Sequence, residues 1–366
     1  MNILFLTTHV NTGGITSYLL TLGEGLVRSG HKVWVASSGG DSESLIEAAG
    51  MRNVKVNIRT KSEINPKLVL SFFPLMKLIQ KEKIDIIHAQ TRVAHVLGTF
   101  LCCFTDARLI TTYHGFFKAR WSRILFPCVG SAVIAVSRPV AQHLNKDFEI
   151  SQSMINMIPN GIDLERFKMV DQQQRHAVRH KLNIPDDVLL IGIIARLSDV
   201  KGIDILIKAM PFVLKRAPSA HLLIVGRGPE EDALKKLTQE LDLDACVRFE
   251  HTVNQAYRLL AGFDVFVMPS LMEGLGISVM EAQASGIPVV ASRVGGLVDL
   301  IEDTRTGYLI PSKDPLALAD KIVEVLQHPD QAKMVANQAR IHINEFFSAD
   351  LMIKKTLQVY EQYSSR

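Results

Sequence analysis

The strongest constraint on this chain is an alternation that runs twice along its 366 residues: short apolar runs, each followed by a stretch with helical spacing. The first series holds Ile3–Leu6, Val33–Ala36, Val54–Ile58, Ile84–His88, Leu109–Tyr113, Val133–Val136 and Ile155–Ile158. The second holds Val188–Ile194, His221–Val225, Val247–Phe249, Val265–Met268, Val289–Ala291 and Tyr308–Ile310. These runs show little apolar/polar alternation, which predicts strands of parallel sheets buried on both faces. Two series in a chain long for one core predict an α/β architecture of two doubly wound, Rossmann-like domains. Such sheets bind ligands at the carboxyl ends of their strands. Two facing crevices, and thus a central cleft, are the expected site.

The expected boundary lies near Pro159-Asn-Gly-Ile-Asp163, where Pro and Asn-Gly mark a turn. This predicts domains over 1–165 and 166–346, and a last segment over 347–366 that packs back on the first domain. That segment has helical spacing at Leu351, Ile353, Leu357 and Tyr360.

Composition excludes several classes. The chain is 47% hydrophobic and 21% charged, as an ordinary globular protein is. The longest apolar stretch, Val93 to Phe104, contains His95 and Gly98 and is too short for a membrane span. Met1–Thr7 reads as a first strand with no basic leader region, so a cytoplasmic protein is expected. Cys102, Cys103, Cys128 and Cys246 have neither zinc spacing nor a disulfide framework, which suits a reducing compartment. The net charge of +4 is uneven: residues 1–150 carry 17 Lys/Arg against 10 Asp/Glu, and the remainder 24 against 27. A basic first half suits an anionic partner, such as a membrane surface or a phosphorylated acceptor, or is simply a solvated face. No nucleic-acid motif occurs, so nucleic acid is not an expected partner.

The chemistry concentrates in strand-to-helix turns. Glu273-Gly-Leu-Gly-Ile-Ser-Val-Met-Glu281 sets two carboxylates across a glycine-rich turn. Glu281 falls inside the helix, about 8 Å along its axis from Gly276. The small residues between leave helix-start N–H groups open to an anion. A nucleotide-diphosphate sugar would meet a carboxylate, amides and a second carboxylate in turn; a helix cap and a solvated Glu account for the pair equally well. Ala195-Arg-Leu-Ser-Asp-Val-Lys-Gly202 brackets another such turn with Arg196 and Lys201, two cations able to hold a diphosphate without a metal, or to pair with Asp199 or Asp204. Val225-Gly-Arg-Gly-Pro229 begins like a dinucleotide fingerprint, but Glu230, Glu231 and Asp232 open the next helix and would repel a pyrophosphate. Nucleoside contact at Gly228 is the most this loop predicts. Gly13 and Gly14 precede a helix and would let the backbone approach a phosphate or sugar. His114 ends a strand and could touch the sugar, or be a structural histidine. Asp242-Leu-Asp244 has metal-ligand spacing but no second ligand cluster, so no metal site is expected. No Ser/His/Asp order and no phosphate-binding Gly-x4-Gly-Lys-Ser/Thr loop occurs.

In order, Pro159–Asp163, Ala195–Gly202, Val225–Pro229, Glu273–Ala282, Gly286–Ala291 and Gly295–Asp299 resemble the signature of the family 4 retaining glycosyltransferases, which have the two-domain GT-B fold. The resemblance covers nearly the whole chain. It implies an N-terminal acceptor domain, a C-terminal donor domain and no cofactor beyond the nucleotide-sugar substrate. It implies that Arg196 and Lys201 bind the donor diphosphate beside Gly14, and that Glu281 binds the ribose. Glu273 and the backbone of Gly274, Leu275, Gly276 and Ile277 would hold the sugar hydroxyls, and His114 matches the active-site histidine. Leu275 replaces a common aromatic and would reshape the sugar pocket; Asp299 stands where Glu is usual. The implied reaction moves a hexosyl unit, with a UDP-sugar as donor, to a glycan or lipid-linked acceptor with retained configuration, in cell-envelope polysaccharide or glycolipid synthesis. A sugar-nucleotide epimerase of related fold and a non-catalytic sugar-nucleotide-binding protein are the alternatives.

One further segment, Phe116–Phe126, interleaves aromatics with Lys118, Arg120 and Arg123. As a helix it would set Phe117, Trp121, Ile124 and Leu125 on one side, fitting either an anionic membrane surface or the domain core.

Overall fold

The computed structural model describes residues 1–60, 65–251 and 255–364. It divides into two units: Met1–Gly161 with the chain from Ala349 onward, and Ile162–Ser348.

The first unit is built on seven strands: β1 (Asn2–Leu6), β2 (Lys32–Ser37), β3 (Arg52–Lys55), β4 (Ile86–Ala89), β5 (Arg108–Tyr113), β6 (Ala132–Ala135) and β7 (Ile155–Met157). They pair in parallel in the order β3-β2-β1-β4-β5-β6-β7. Strand β1 shows why the apolar runs are continuous. Ile3 and Phe5 enter one core cluster while Leu4 and Leu6 enter the other, and all four are 0% exposed. Side chains alternate across a strand, so covering both faces requires every position to be apolar. Helices Gly14–Arg28 and Ala349–Tyr363 supply one cover, and Pro66–Glu82 with Arg92–Cys102 the other. The terminal helix lies against Gly14–Arg28, with Ile353 occupying the space a side chain at Gly25 would need.

Two expectations shift here. The run expected at Val54–Ile58 is a strand only over Arg52–Lys55. Its ladder stops where β2 ends, with Ser37 opposite Lys55, and Val56 and Ile58 turn inward to burial. The stretch Phe116–Phe126 is helical only over Trp121–Leu125, and none of those five residues is buried. Phe117 lies outside that helix and packs edge-on against Tyr113. His143 Nε2 lies 3.2 Å from the N–H and 3.0 Å from the carbonyl of Phe117 and bonds one or the other according to whether it carries a proton.

The second unit has six strands: β8 (Leu189–Ile194), β9 (Ala220–Val225), β10 (Val247–Glu250), β11 (Val265–Met268), β12 (Val289–Ser292) and β13 (Tyr308–Ile310). The order β10-β9-β8-β11-β12-β13, again all parallel, repeats the first unit's pattern. At the amino edge of this sheet, Arg179 is buried and donates to the carbonyls of Gly262, Pro185, Asp186 and Val188 and to Asp264 Oδ2 at 2.7 Å. Arg175 meets the other Asp264 oxygen at 2.6 Å. This saturated charge cluster ties helix Gln172–Lys181 to the start of β11 and leaves the carboxyl edge as the open one. Among the described residues, no helix is long and apolar enough to cross a membrane.

Candidate functional site

Each sheet reverses strand order once, between β1 and β4 in the first unit and between β8 and β11 in the second. The carboxyl ends at these reversals are where a doubly wound sheet opens a crevice. In the second unit, the loops after β8 and β11 meet there. Leu271 N–H donates to Val200 O at 2.8 Å. Gly202 holds φ 62° and starts helix Ile203–Leu214 with its α-carbon against Pro269 O, where any side chain would collide.

This closeness brings Lys201 to Glu273. Lys201 Nζ donates to Glu273 Oε2 at 2.6 Å, and Ser270 Oγ donates to the same oxygen at 3.2 Å. Both charged side chains are largely covered, 21% and 12% exposed. The partners expected for Lys201 do otherwise: Asp204 pairs with Lys208, and Asp199 accepts from Val200 N–H. Arg196 is exposed and forms no ion pair among the described residues. The edge thus carries an exposed guanidinium, unpaired among the described residues, and an internally balanced ammonium and carboxylate.

Glu273 leads into helix Ile277–Ala284 through Gly276, whose φ of 102° needs a residue without a side chain. Among the described residues, the N–H groups of Gly274, Leu275, Gly276 and Ile277 donate to no protein acceptor, as the first amides of a helix do until a cap or ligand meets them. The Leu275 side chain is 2% exposed. Its apolar side chain packs inward, and its backbone is what the edge presents. Gly296 N–H donates to Glu273 O at 2.9 Å, so the loop after β12 braces the same turn.

Glu281 lies half-buried one and a half turns into this helix. Burial pushes its carboxyl up to about 7, and the nearby Arg166 guanidinium only partly opposes that. Gly228 sits where the loop after β9 crosses the loop after β8. Leu197 N–H donates to Arg227 O and Glu230 N–H to Leu197 O, with the α-carbon of Gly228 against Leu197 O. Of the carboxylates that follow, Glu231 is occupied locally, taking hydrogen bonds from Lys235 and His251, both at 2.6 Å. Asp242 takes φ 54° after helix Glu231–Glu240, so the Asp242-Leu-Asp244 spacing belongs to a turn. Among the described residues, no group of three or more His, Cys, Asp or Glu side chains is placed to hold a metal ion.

In the first unit, exposed Gly13 and Gly14 begin helix Gly14–Arg28 beyond the end of β1. The loop before them is braced by Asp41, which accepts from Thr12 N–H at 2.7 Å. His114 follows β5, with its ring 4.8 Å from the Tyr18 ring in an edge-on contact. Burial pulls its imidazole down to about 3, so it is neutral. Sequence reasoning passed over the polar side chains beneath it. Gln90 Oε1 lies 2.8 Å from His114 Nε2. His88, 0% exposed, joins Tyr360 Oη to Thr112 Oγ1 with 2.6 Å contacts on its two ring nitrogens. The signal available was a polar pair, His88 and Gln90, at the end of an otherwise apolar run.

Two family models match the chain: one described as glycosyltransferase family 4, over residues 12–166, and one as glycosyl transferases group 1, over residues 174–342. An uncharacterised glycosyltransferase of Methanocaldococcus jannaschii is 29% identical, over 95% of this chain and 94% of that protein. A GDP-mannose-dependent mannosyltransferase of Corynebacterium glutamicum, named for a monoacylated phosphatidylinositol monomannoside, is 31% identical over 56% of this chain. The match spans 55%, about half, of that enzyme's length. Among solved structures, Anabaena HepE in complex with UDP-glucose superposes with a TM-score of 0.87 at 21% identity, covering 99% of this chain and all of that one. That likeness is one of fold, the GT-B arrangement of two Rossmann-like domains.

Proposed function

The chain belongs to the family 4 glycosyltransferases, and we propose that it is a retaining hexosyltransferase using a nucleotide-diphosphate sugar, with UDP as the nucleotide. The observation that carries this reading is the second unit's carboxyl edge. There Lys201 and Glu273 meet at 2.6 Å, Arg196 is exposed, and four amides have no acceptor among the described residues. Arg196 and Lys201 take the diphosphate and stabilise the charge that grows as the sugar leaves. Glu273 and the amides of 274–277 receive the sugar hydroxyls. Glu281 accepts from the ribose, and the loop carrying Gly228 borders the nucleoside. The cations and helix-start amides supply the positive potential, so the reaction needs neither a divalent metal nor a cofactor. No side chain in the set is placed as a nucleophile. This suits front-face transfer, in which the leaving phosphate takes the proton of the attacking acceptor hydroxyl as the new glycosidic bond forms on the same face.

The first unit selects the acceptor, a glycan or lipid-linked sugar of envelope polysaccharide or glycolipid synthesis, while its Gly13–Gly14 helix start receives donor phosphate and its His114 a hydroxyl of the transferred sugar. Its membrane contact is the short helix Trp121–Leu125. Trp121, Leu125 and Phe126 are 78%, 63% and 66% exposed, with exposed Lys118 and Arg120 alongside, a composition suited to the inner face of an anionic bilayer. A thermal-shift screen of UDP-, GDP- and ADP-sugars, followed by NMR of the product's anomeric centre, tests the whole reading. A UDP-sugar raising Tm most, and a product of unchanged configuration, support it. Inversion, or epimerised donor in the absence of acceptor, overturns it.

A further inference from the structure

His114 and the residue that contacts it most directly are fixed differently. Gln90 follows β4 at the sheet's order reversal, and its N–H donates to Leu6 O at 2.9 Å, so its main chain is anchored on β1. Its side chain is 2% exposed. The amide nitrogen faces the His88 carbonyl at 3.4 Å, and a carbonyl can only accept. The amide orientation is therefore set from behind, and Oε1 is turned toward His114 Nε2 at 2.8 Å. An amide oxygen also only accepts, so His114 must carry its hydrogen on Nε2. Nδ1 then keeps its lone pair, and the one side-chain hydrogen bond of His114 among the described residues is that of Nε2.

We propose that Gln90 is a positioning residue for His114: its amide oxygen holds the Nε2–H tautomer, so that Nδ1 is presented as a hydrogen-bond acceptor to a substrate hydroxyl. The proposal rests on the reading of His114 as a sugar contact. It makes that histidine a fixed, neutral acceptor rather than a general acid or base. The titratable groups facing it are Tyr18 from helix Gly14–Arg28, His88 from β4 and His95 from helix Arg92–Cys102. Burial keeps the tyrosine raised and both histidines lowered, so all three stay neutral with it. Gln90 is suited to this task where a carboxylate is not, because Glu at the same place would favour the imidazolium and turn Nδ1 into a donor.

The test uses the full chain labelled with 15N-histidine, the His114 signals being assigned by their loss in His114→Gln. Two-bond nitrogen–proton correlation spectra between about pH 5 and 9 should show a neutral Nε2–H tautomer throughout. Gln90→Leu should mix the tautomers and lower turnover about tenfold. The near-isosteric Gln90→Glu should add an acidic limb to the pH–rate profile, with activity recovering as pH rises above the new imidazole value. An Nδ1–H tautomer or an imidazolium in the unaltered protein, or an unchanged pH profile in Gln90→Glu, overturns the proposal. The spectra need no substrate. A chain that transferred no sugar would therefore sink the functional reading, while the role of Gln90 would still be decided by the tautomer.

Discussion

The two sheets share one strand order but finish their carboxyl edges with opposite chemistry. In the second unit the edge is charged: Lys201 against Glu273, exposed Arg196, and half-buried Glu281 with its carboxyl lifted to about 7. In the first unit the corresponding groups are neutral and uncharged by burial: His114 pulled down to about 3, His88 lower than usual, Tyr18 and Tyr360 raised. The same topology thus supports a charged edge, which the proposed function gives to phosphate, and a neutral edge, which it gives to hydroxyl groups. Fold alone does not choose between them; the side chains after β8 and β11, and after β4 and β5, do.

The largest effect that would break the comparison is at Lys201. Lys201→Ala removes the charge that stabilises the leaving diphosphate, and turnover should fall about 10²-fold. Steady-state kinetics with the donor found by thermal shift would show it, and unchanged turnover would mean that the charged edge is not the donor site.

Glu281 comes next. Glu281→Ala should weaken donor binding about tenfold to a hundredfold by titration calorimetry, the worth of a charge-assisted bond to ribose. Because burial raises the folded carboxyl from 4.5 to about 7, the empty protein binds a proton there that the unfolded chain has already lost. Stability therefore falls as pH rises between those two values and stays lowered above them. Glu281→Gln should raise Tm at pH 8 but not at pH 4, and should remove the gain in donor affinity that deprotonation near pH 7 brings to the native protein. Tm gains equal at both pH values would refute the burial argument.

A smaller effect concerns metal. Activity should survive EDTA within about twofold, since the cations already supply the positive potential; loss on chelation with recovery on manganese would refute it. The smallest effect is at the first unit's surface. Lys118→Glu with Arg120→Glu should reduce co-sedimentation with anionic liposomes at low salt and leave soluble-donor hydrolysis unchanged. Equal lipid binding by both proteins would remove Trp121–Leu125 as the membrane contact.

The fold was legible because burial on both sheet faces demands unbroken apolar runs, as Ile3–Leu6 and Val265–Met268 show. Strand ends were less so. Val56 and Ile58 are apolar because they are buried, but β2 ends at Ser37, which takes the Val56 N–H, so the ladder goes no further. Phe116–Phe126 carried a helical apolar pattern, yet it is helical only over Trp121–Leu125, and His143, far along the chain, bonds the backbone of Phe117. In the charged edge, the types and turns of Arg196, Lys201, Glu273 and Glu281 could be read from sequence. The pairing of Lys201 with Glu273 could not, because it depends on Gly202 meeting Pro269 across the sheet. Gln90 left only the signal of a polar residue closing an apolar run; its role comes from His88 behind it and His114 in front.

The central claim is that the sugar nucleotide is held by the second unit's carboxyl edge, and hydrogen–deuterium exchange tests it most directly. Exchange is followed in the full chain with and without the nucleotide sugar that raises Tm most. The account predicts slowed exchange at the amides of 274–277, which have no acceptor among the described residues, together with the turns 195–202 and 226–230. Unchanged exchange at 274–277 in the saturated protein would contradict it.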